Sequence, residues 1–284
     1  MAVKPRIAMV GAGNLAGVLA LSLRRAGYVI DEIVARDSRA SLRRASLLAK
    51  EAGARAVAAT RARVNAEVVW FCVPDGAIAA TARSLEANHK WKGRVALHSS
   101  GALTSDELDV LRRRGAAVAS VHPLMTFVKG SRPALAGVPF AIEGDEAAVR
   151  AARRIVRDVF GQPYPIRKQD KAAYHAWGTF ASPLLTALLA TTEQVAKAAG
   201  VKRKAAKKKM LPILLQTIVN YAELGAAGSF SGPLVRGDVA TVARHLGVLR
   251  RVPAAVEVYG ALAGAAMKYL PVKKRARLRK MLKF

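Results

Sequence analysis

Several side chains in this sequence are of types and spacings suited to moving a proton or gripping a small anion. Lys171 and His175 lie four residues apart, so on a helix they share one face. An amine and an imidazole so placed could donate a proton to a carbonyl or imine being reduced by hydride, and imidazoles titrate near neutral pH. The alternative is a solvated Lys171 at a helix start and a His175 satisfied at an interface. His98-Ser99-Ser100-Gly101 offers two hydroxyls beside a permissive glycine, and Val121-His122-Pro123-Leu124 supplies a second imidazole. Each of these could equally be an ordinary strand-to-loop junction, where such residues are common. Arg236 could clamp a substrate carboxylate, and Asp238 just after it suits a helix N-cap. His, Cys and carboxylates do not cluster, so no metal site is expected. The one cysteine, Cys72, lies inside Val68-Val-Trp-Phe-Cys-Val73, a buried-strand pattern, and reads as an inert core thiol.

A second group near the N-terminus points to a phosphate-rich ligand. The run Arg6-Ile-Ala-Met-Val-Gly-Ala-Gly-Asn-Leu-Ala-Gly17 passes from apolar β-branched residues into spaced glycines, then into an apolar helical pattern closed by Gly27. Strand, glycine turn and helix are the context that dinucleotide binding requires. Gly11 permits the tight turn, Gly13 lets the backbone approach a pyrophosphate, and Ala16 allows close helix–strand packing. Asn14 and Leu15 open the helix, whose free N–H groups and positive dipole end would hold the pyrophosphate. The second strand ends in Val34-Ala-Arg-Asp-Ser-Arg39. Arg36 there suits the 2′-phosphate of NADP, with Ser38 and Arg39 as further donors. A one-residue shift would bring Asp37 into that place and favour NAD. Val73-Pro74-Asp75 and Ser99 would border the nicotinamide ribose, beyond the carboxyl ends of their strands.

The elements that must position these residues are legible in the periodicity. Strand patterns occur at Ile7–Val10, Glu32–Ala35, Val68–Val73, Val95–His98, Ala117–Val121, Pro139–Ile142 and Tyr164–Ile166. Helical patterns fall between several of them, at Arg39–Ala52, Asp75–Ala87 and from Asp145 to about Phe160. Such alternation predicts a parallel sheet covered on both faces. After Ile166 only helices are predicted: Lys171–Ala199, Lys204–Leu224, Asp238–Leu246 and Ala254–Tyr269. The first of these is apolar nearly all round, which suits a core or an interface. Pro183 either kinks it or starts a new helix capped by Ser182. Two domains are therefore expected, residues 1–165 and 166–284.

The charge is uneven. The 284 residues carry 47 Lys+Arg against 19 Asp+Glu, a net +28. Residues 1–165 hold 25 basic and 14 acidic side chains, and residues 166–284 hold 22 and 5. Two basic clusters dominate the second part, Lys202–Lys209 and Lys273–Lys283. Such a field attracts polyanions, although the simpler reading is a solvated face and a mobile basic tail. With no base-reading motif and no aromatic residues interleaved, nucleic acid or another polyanion would be bound only non-specifically. The chain opens directly into its first strand and has no apolar run of membrane-spanning length. A cytoplasmic protein without membrane contact is expected.

The motifs together resemble a known family. They run Gly-Ala-Gly-Asn-Leu-Ala at 11–16, Val-Pro-Asp at 73–75, His-Ser-Ser-Gly-Ala-Leu at 98–103 and His-Pro-Leu at 122–124. They continue with Tyr-His-Ala at 174–176, Phe-Ala-Ser at 180–182 and Gly-Pro-Leu-Val-Arg-Gly-Asp at 232–238. This is similar to the Rossmann-like proteins that carry the helical domain of unknown function 2520. They fall within the pyrroline-5-carboxylate reductase and 6-phosphogluconate dehydrogenase superfamily. The likeness spans roughly residues 5–270. It implies an N-terminal Rossmann-like parallel-sheet domain that binds NADP, and an all-helical C-terminal domain that dimerises, with the active site between them. The activity implied is an NADP-dependent oxidoreduction of a small carbonyl, imine or hydroxy acid. The chain departs from the pattern at Pro183, where the family carries Asn. A non-catalytic NADP-binding regulator or scaffold is therefore the alternative, and polyanion binding by the basic half a third reading.

Overall fold

The computed structural model describes residues 3–87 and 90–282. The chain divides into two compact units, Met1–Phe180 and Ala181–Phe284.

The first unit is built on eight strands: β1 Ile7–Val10, β2 Ile30–Ala35, β3 Arg55–Ala58, β4 Val68–Phe71, β5 Val95–His98, β6 Ala117–Pro123, β7 Pro139–Gly144 and β8 Gln162–Pro165. Its helices are α1 Asn14–Arg25, α2 Arg39–Ala52, α3 Ile78–Glu86, α4 Asp109–Arg113, α5 Glu146–Asp158 and α6 Lys171–Thr179. The sheet order is β3-β2-β1-β4-β5-β6-β7-β8. The order reverses between β1 and β4, and ligands of doubly wound sheets bind beyond the strand ends at such a point.

Side chains leave successive strand positions toward opposite faces, and the core follows that rule. Ile7 and Met9 join one apolar cluster with α1, α2 and α5. Ala8 and Val10 join another with α3 and α4. The β-branched strands that the sequence shows are thus buried on both faces, as parallel strands are.

Three expectations need correction. The sheet is not wholly parallel, because β7 runs antiparallel to β6. Residues 124–138 join these two strands without a helix, and a crossover helix is what a parallel neighbour normally requires. The edge strand β3, paired with β2, was not anticipated; its Arg-Ala-Val-Ala sequence is short and weak in strand formers. The strand predicted over Val68–Val73 stops at Phe71, leaving Cys72 half-buried just beyond.

The second unit is helical: α7 Leu185–Ala198, α8 Arg203–Ser229, α9 Pro233–Arg236, α10 Val239–Leu249, α11 Ala255–Tyr269 and α12 Arg275–Leu282. Pro183 resolves as a π-helical turn over Phe180–Leu184 rather than a capped helix start. That geometry accommodates a residue without an N–H. The helix α8 breaks at Gly225, which takes φ 70° and ψ 178°. One core of this unit gathers Val242, Ala266, Met267, Val272 and Leu278, and a second gathers Leu249, Val252 and Ala255. The expected burial of Lys171–Ala199 is not seen within its own unit past Pro183, since α7 carries no buried residue. The expected mobile basic tail is also corrected. Residues 275–282 form α12, with Leu278 wholly buried; Lys283 and Phe284 lie outside the described residues.

Candidate active site

The glycine turn is shaped by a close backbone crossing. Gly11 adopts φ +109°, donates its N–H to Val34 O at 2.7 Å, and faces the strand end of β4. A Cβ at Gly11 would stand 2.3 Å from the Cys72 carbonyl oxygen, so only glycine fits. Gly13 precedes α1 in extended conformation, and no side chain caps the helix. A Cβ at Gly13 would meet nothing within 4 Å. Uncapped first-turn amides facing open space are the requirement for an incoming pyrophosphate. Ala16, in the third position, is fully buried.

Around this turn lies a cavity of about 390 Å³. Gly11, Gly13, Arg36, Val73 and Pro74 line it as expected. Arg44, Thr81 and Ser84 also line it, and were not singled out from the sequence. Arg44 belongs to α2, five residues beyond Arg39, and one Arg among many in an Arg-rich helix carries no distinguishing signal. Arg36 and Arg44 give the cavity two cationic lining residues. Asp37 instead accepts from the Thr60 hydroxyl at 3.1 Å, which leaves Arg36 as the residue after β2 that faces the cavity.

The other expected cofactor residues lie off the cavity wall. Ser38 caps α2 by accepting from Ser41 N–H, and Arg39 is exposed beside it. Asn14 donates to the Phe127 carbonyl at 3.1 Å, and Leu15 packs on the core. Ser99 accepts from the Trp70 indole N–H at 2.8 Å. Asp75 accepts from the Ser100 hydroxyl at 2.8 Å. The Cys72 thiol borders the cavity, and burial pushes its pKa up to about 12, so it is no nucleophile at neutral pH.

Beyond β5 and β6 a second group converges on α6. Lys171 is wholly buried. Its ammonium donates to the Ser120 hydroxyl at 2.7 Å and to the Ser100 carbonyl at 3.0 Å. The solvated alternative for Lys171 is thereby overturned. No carboxylate pairs with it directly, and burial pulls its pKa down to about 8, against the raising influence of Glu143 and Asp75. Glu143 is itself held by the Ser105 backbone N–H at 2.6 Å and the Ser105 hydroxyl at 2.9 Å.

His98 is fully buried, accepts from the Ser100 N–H at 3.1 Å through Nδ1, and donates from Nε2 to the Thr104 carbonyl at 2.9 Å. That pairing defines a neutral imidazole, and burial lowers its pKa to about 4. His122 Nδ1 lies 2.8 Å from the Tyr174 hydroxyl. Burial, and then the positive charge of Lys171, lower its pKa to about 4 as well. Ser100 is committed on both sides, since its hydroxyl also accepts from Leu103 N–H at 2.9 Å.

His175 is exposed at the mouth of this group, its ring 6.1 Å from that of His122. Gly101 makes the approach possible: a Cβ there would stand 2.6 Å from His175 and 2.9 Å from His122. Thus Lys171, Ser100, His122 and His175 are brought together within the first unit. Ser120 joins them unannounced, and so does Tyr174, which the sequence offers only as part of the Tyr-His-Ala motif; it lies three residues after Lys171, on the same helix face. Arg236 belongs to the second unit, exposed on α9. Asp238 caps α10 as expected, accepting from Thr241 N–H at 3.0 Å. Among the described residues no group of His, Cys, Asp and Glu could hold a metal ion, and no helix is long and apolar enough to cross a membrane.

Comparison with known proteins follows the same division. Residues 138–266 match the model of a domain of unknown function, DUF2520. Residues 6–97 match the model described as NADP oxidoreductase, coenzyme F420-dependent. Both matches bear out the resemblance read from the motifs, and the second agrees with the expected cofactor. No curated protein matches the chain. Among solved structures, a candidate NADP oxidoreductase from Bacteroides fragilis is 22% identical, with 92% of this chain and 97% of that one covered and a TM-score of 0.79. A reductive aminase from Aspergillus terreus, in complex with NADPH and ethyl-5-oxohexanoate, is 15% identical over 98% of this chain and 100% of that one, with a TM-score of 0.66. A pyrroline-5-carboxylate reductase from Coxiella burnetii is 16% identical over 94% and 98%, with a TM-score of 0.58. These likenesses establish the fold: a Rossmann-like α/β unit followed by helices.

Proposed function

We propose that the protein is an NADP-dependent oxidoreductase acting on a small carbonyl, imine or hydroxy acid. The observation that carries this reading is the cavity at the β1–β4 switch point, lined by an uncapped helix start and by two arginines. The turn at Gly11 and Gly13 brings the free first-turn N–H groups of α1 toward a pyrophosphate, and Arg36 with Arg44 holds a 2′-phosphate. Val73 and Pro74 wall the cavity beyond β4. The chemistry that a bound nicotinamide supplies is hydride transfer.

The chain's own contribution is the proton and its placement. His175, exposed on α6, exchanges a proton with the substrate heteroatom. His122, kept neutral and paired with Tyr174, packs behind it. Lys171 is a positioning residue: it ties α6 to the ends of β5 and β6 through Ser100 and Ser120. Arg236 is the candidate grip for a substrate carboxylate. The bundle of the second unit forms a homodimer, a reading supported by exposed apolar side chains on α7 and α8, among them Leu185, Leu211, Ile213, Leu215, Ile218 and Leu224.

The test is a fluorescence titration with NADPH and NADH at low and moderate salt. The expected result is salt-resistant NADPH preference that falls at least about tenfold in Arg36→Ala/Arg44→Ala, as for loss of a charge-assisted contact worth roughly 1.5–3 kcal/mol. Absence of binding, or weak binding that disappears with salt, would remove the proposal.

A further inference from the structure

The second unit carries a charge imbalance of which the proposed reaction uses only Arg236. Residues 181–284 hold 19 Lys+Arg and 4 Asp+Glu, and beyond Glu257 no acidic residue remains. In the first unit many cations are paired: Arg112 with Asp145, Arg114 with Glu86, Arg132 with Glu51 and Lys168 with Asp106 are examples. Among the described residues of the second unit no ion pair forms.

This charge is fixed in place. The Lys273 N–H donates to Val235 O at 3.2 Å, anchoring the segment to α9. Lys274 takes φ +51° and starts α12, with the Arg277 and Leu278 N–H groups donating to its carbonyl. Arg275 donates to the Leu270 and Val272 carbonyls at 3.0 and 3.2 Å. Leu278 is buried, with Met281 and Leu282 packed on the same core. Arg275 and Arg279, one turn apart on α12, flank its buried edge. With Lys268 of α11 they line a cavity of about 520 Å³. Arg277 and Lys280 extend the exposed cationic surface beyond it.

We propose that this α11–α12 corner binds the phosphate backbone of a nucleic-acid duplex. The cations extend well past the cavity, further than one phosphate group would engage, and match a polymer of regularly spaced anions. An anionic membrane is the poorer fit, because an amphipathic helix binds a bilayer through its apolar face, and that face of α12 is spent on the core. A single strand is also the poorer fit, because the corner exposes one aromatic ring, Tyr269, with the Lys268 ammonium 5.3 Å from its centroid, and not a row of rings on which successive bases could stack. Recognition is therefore of backbone charge, without base readout.

The test is fluorescence anisotropy of a labelled DNA duplex of about 20 base pairs, titrated with the full-length protein between about 50 and 200 mM salt. Binding should weaken steeply with salt. Lys268→Gln/Arg279→Gln should weaken it at least about tenfold at low salt and reduce the logarithmic salt slope by about two, one per lost phosphate contact. Lys207→Gln/Lys208→Gln removes the same charge from exposed positions on α8 and should change affinity less than about threefold if the site is local. Equal loss in the two variants would show an effect of net charge alone and overturn the proposal. No binding at the lower salt, tighter binding to vesicles of anionic phospholipid, or preference for a single strand of equal length would each overturn it too. Unchanged circular dichroism melting of both variants separates these outcomes from misfolding.

Discussion

Replacing Lys171 by Met tests the energetics of the buried amine directly. In the unfolded chain a lysine keeps its proton to about 10.5; in the folded protein Lys171 keeps it only to about 8. Between those values the unfolded chain binds more protons, so stability rises with pH across that window and the penalty is fully present below about pH 8. The gap corresponds to about 3 kcal/mol of disfavoured charge burial. Lys171→Met abolishes this titration. It also leaves the Ser100 carbonyl and the Ser120 hydroxyl without their donor, costing about 1–3 kcal/mol. At pH 7 the two changes offset, and the variant should lie within about 2 kcal/mol of the parent. Toward pH 11 the parent should gain on the variant by an amount approaching 3 kcal/mol. Urea unfolding followed by tryptophan fluorescence measures this for the relevant unit, because Trp70, Trp91 and Trp177 all belong to it. Groups titrating identically in both proteins cancel in the difference. Parallel stability curves for the two proteins from pH 7 to 11 would show that Lys171 is not desolvated, and the positioning role would lose its basis.

The two glycines of the turn should respond oppositely to the same methyl group. Gly11→Ala meets the Cys72 carbonyl at a positive φ and should destabilise the first unit by about 2 kcal/mol or more in thermal melts. Gly13→Ala meets open space and should leave melting nearly unchanged while weakening NADPH binding; equal melting of both variants would contradict the crossing geometry. For the bundle, Leu215→Glu or Ile218→Glu should convert a two-chain particle to a single chain by light scattering. A parent protein that already runs as one chain would remove the dimer reading.

Much of the fold is legible in the sequence because it is local. The β1–turn–α1 segment declares itself through β-branched residues, spaced glycines and helical periodicity. The helix Arg39–Ala52 was placed to the residue, since Ser38 caps its start and Gly53 closes its end with φ 66°. Strands β1 and β5 were equally clear, because burial on both faces demands unbroken apolar runs. The motif residues Ser100, His122, Lys171 and His175 could be chosen by type and spacing.

What tertiary structure alone decided is whatever depends on partners distant in the chain. The direction of β7 follows from a connection that lacks a helix, not from its own residues. The edge strand β3 forms because β2 offers a free edge, and Arg-Ala-Val-Ala has little strand preference of its own. The sequence leaves Lys171 open between a proton donor and a solvated lysine; Ser100 and Ser120, 71 and 51 residues away, supply the hydrogen bonds that let its amine be buried. Arg44 becomes a cavity residue only when α2 packs against β2. The basic C-terminal segment reads as a tail, because its few apolar residues predict no core. It becomes a fixed cationic face because Val242, Met267 and Val272 provide a surface that Leu278 can be buried against. Periodicity records which face of an element avoids water, while the identity of what covers that face, and so the charge and protonation of the groups trapped there, is set by chain segments far away in sequence.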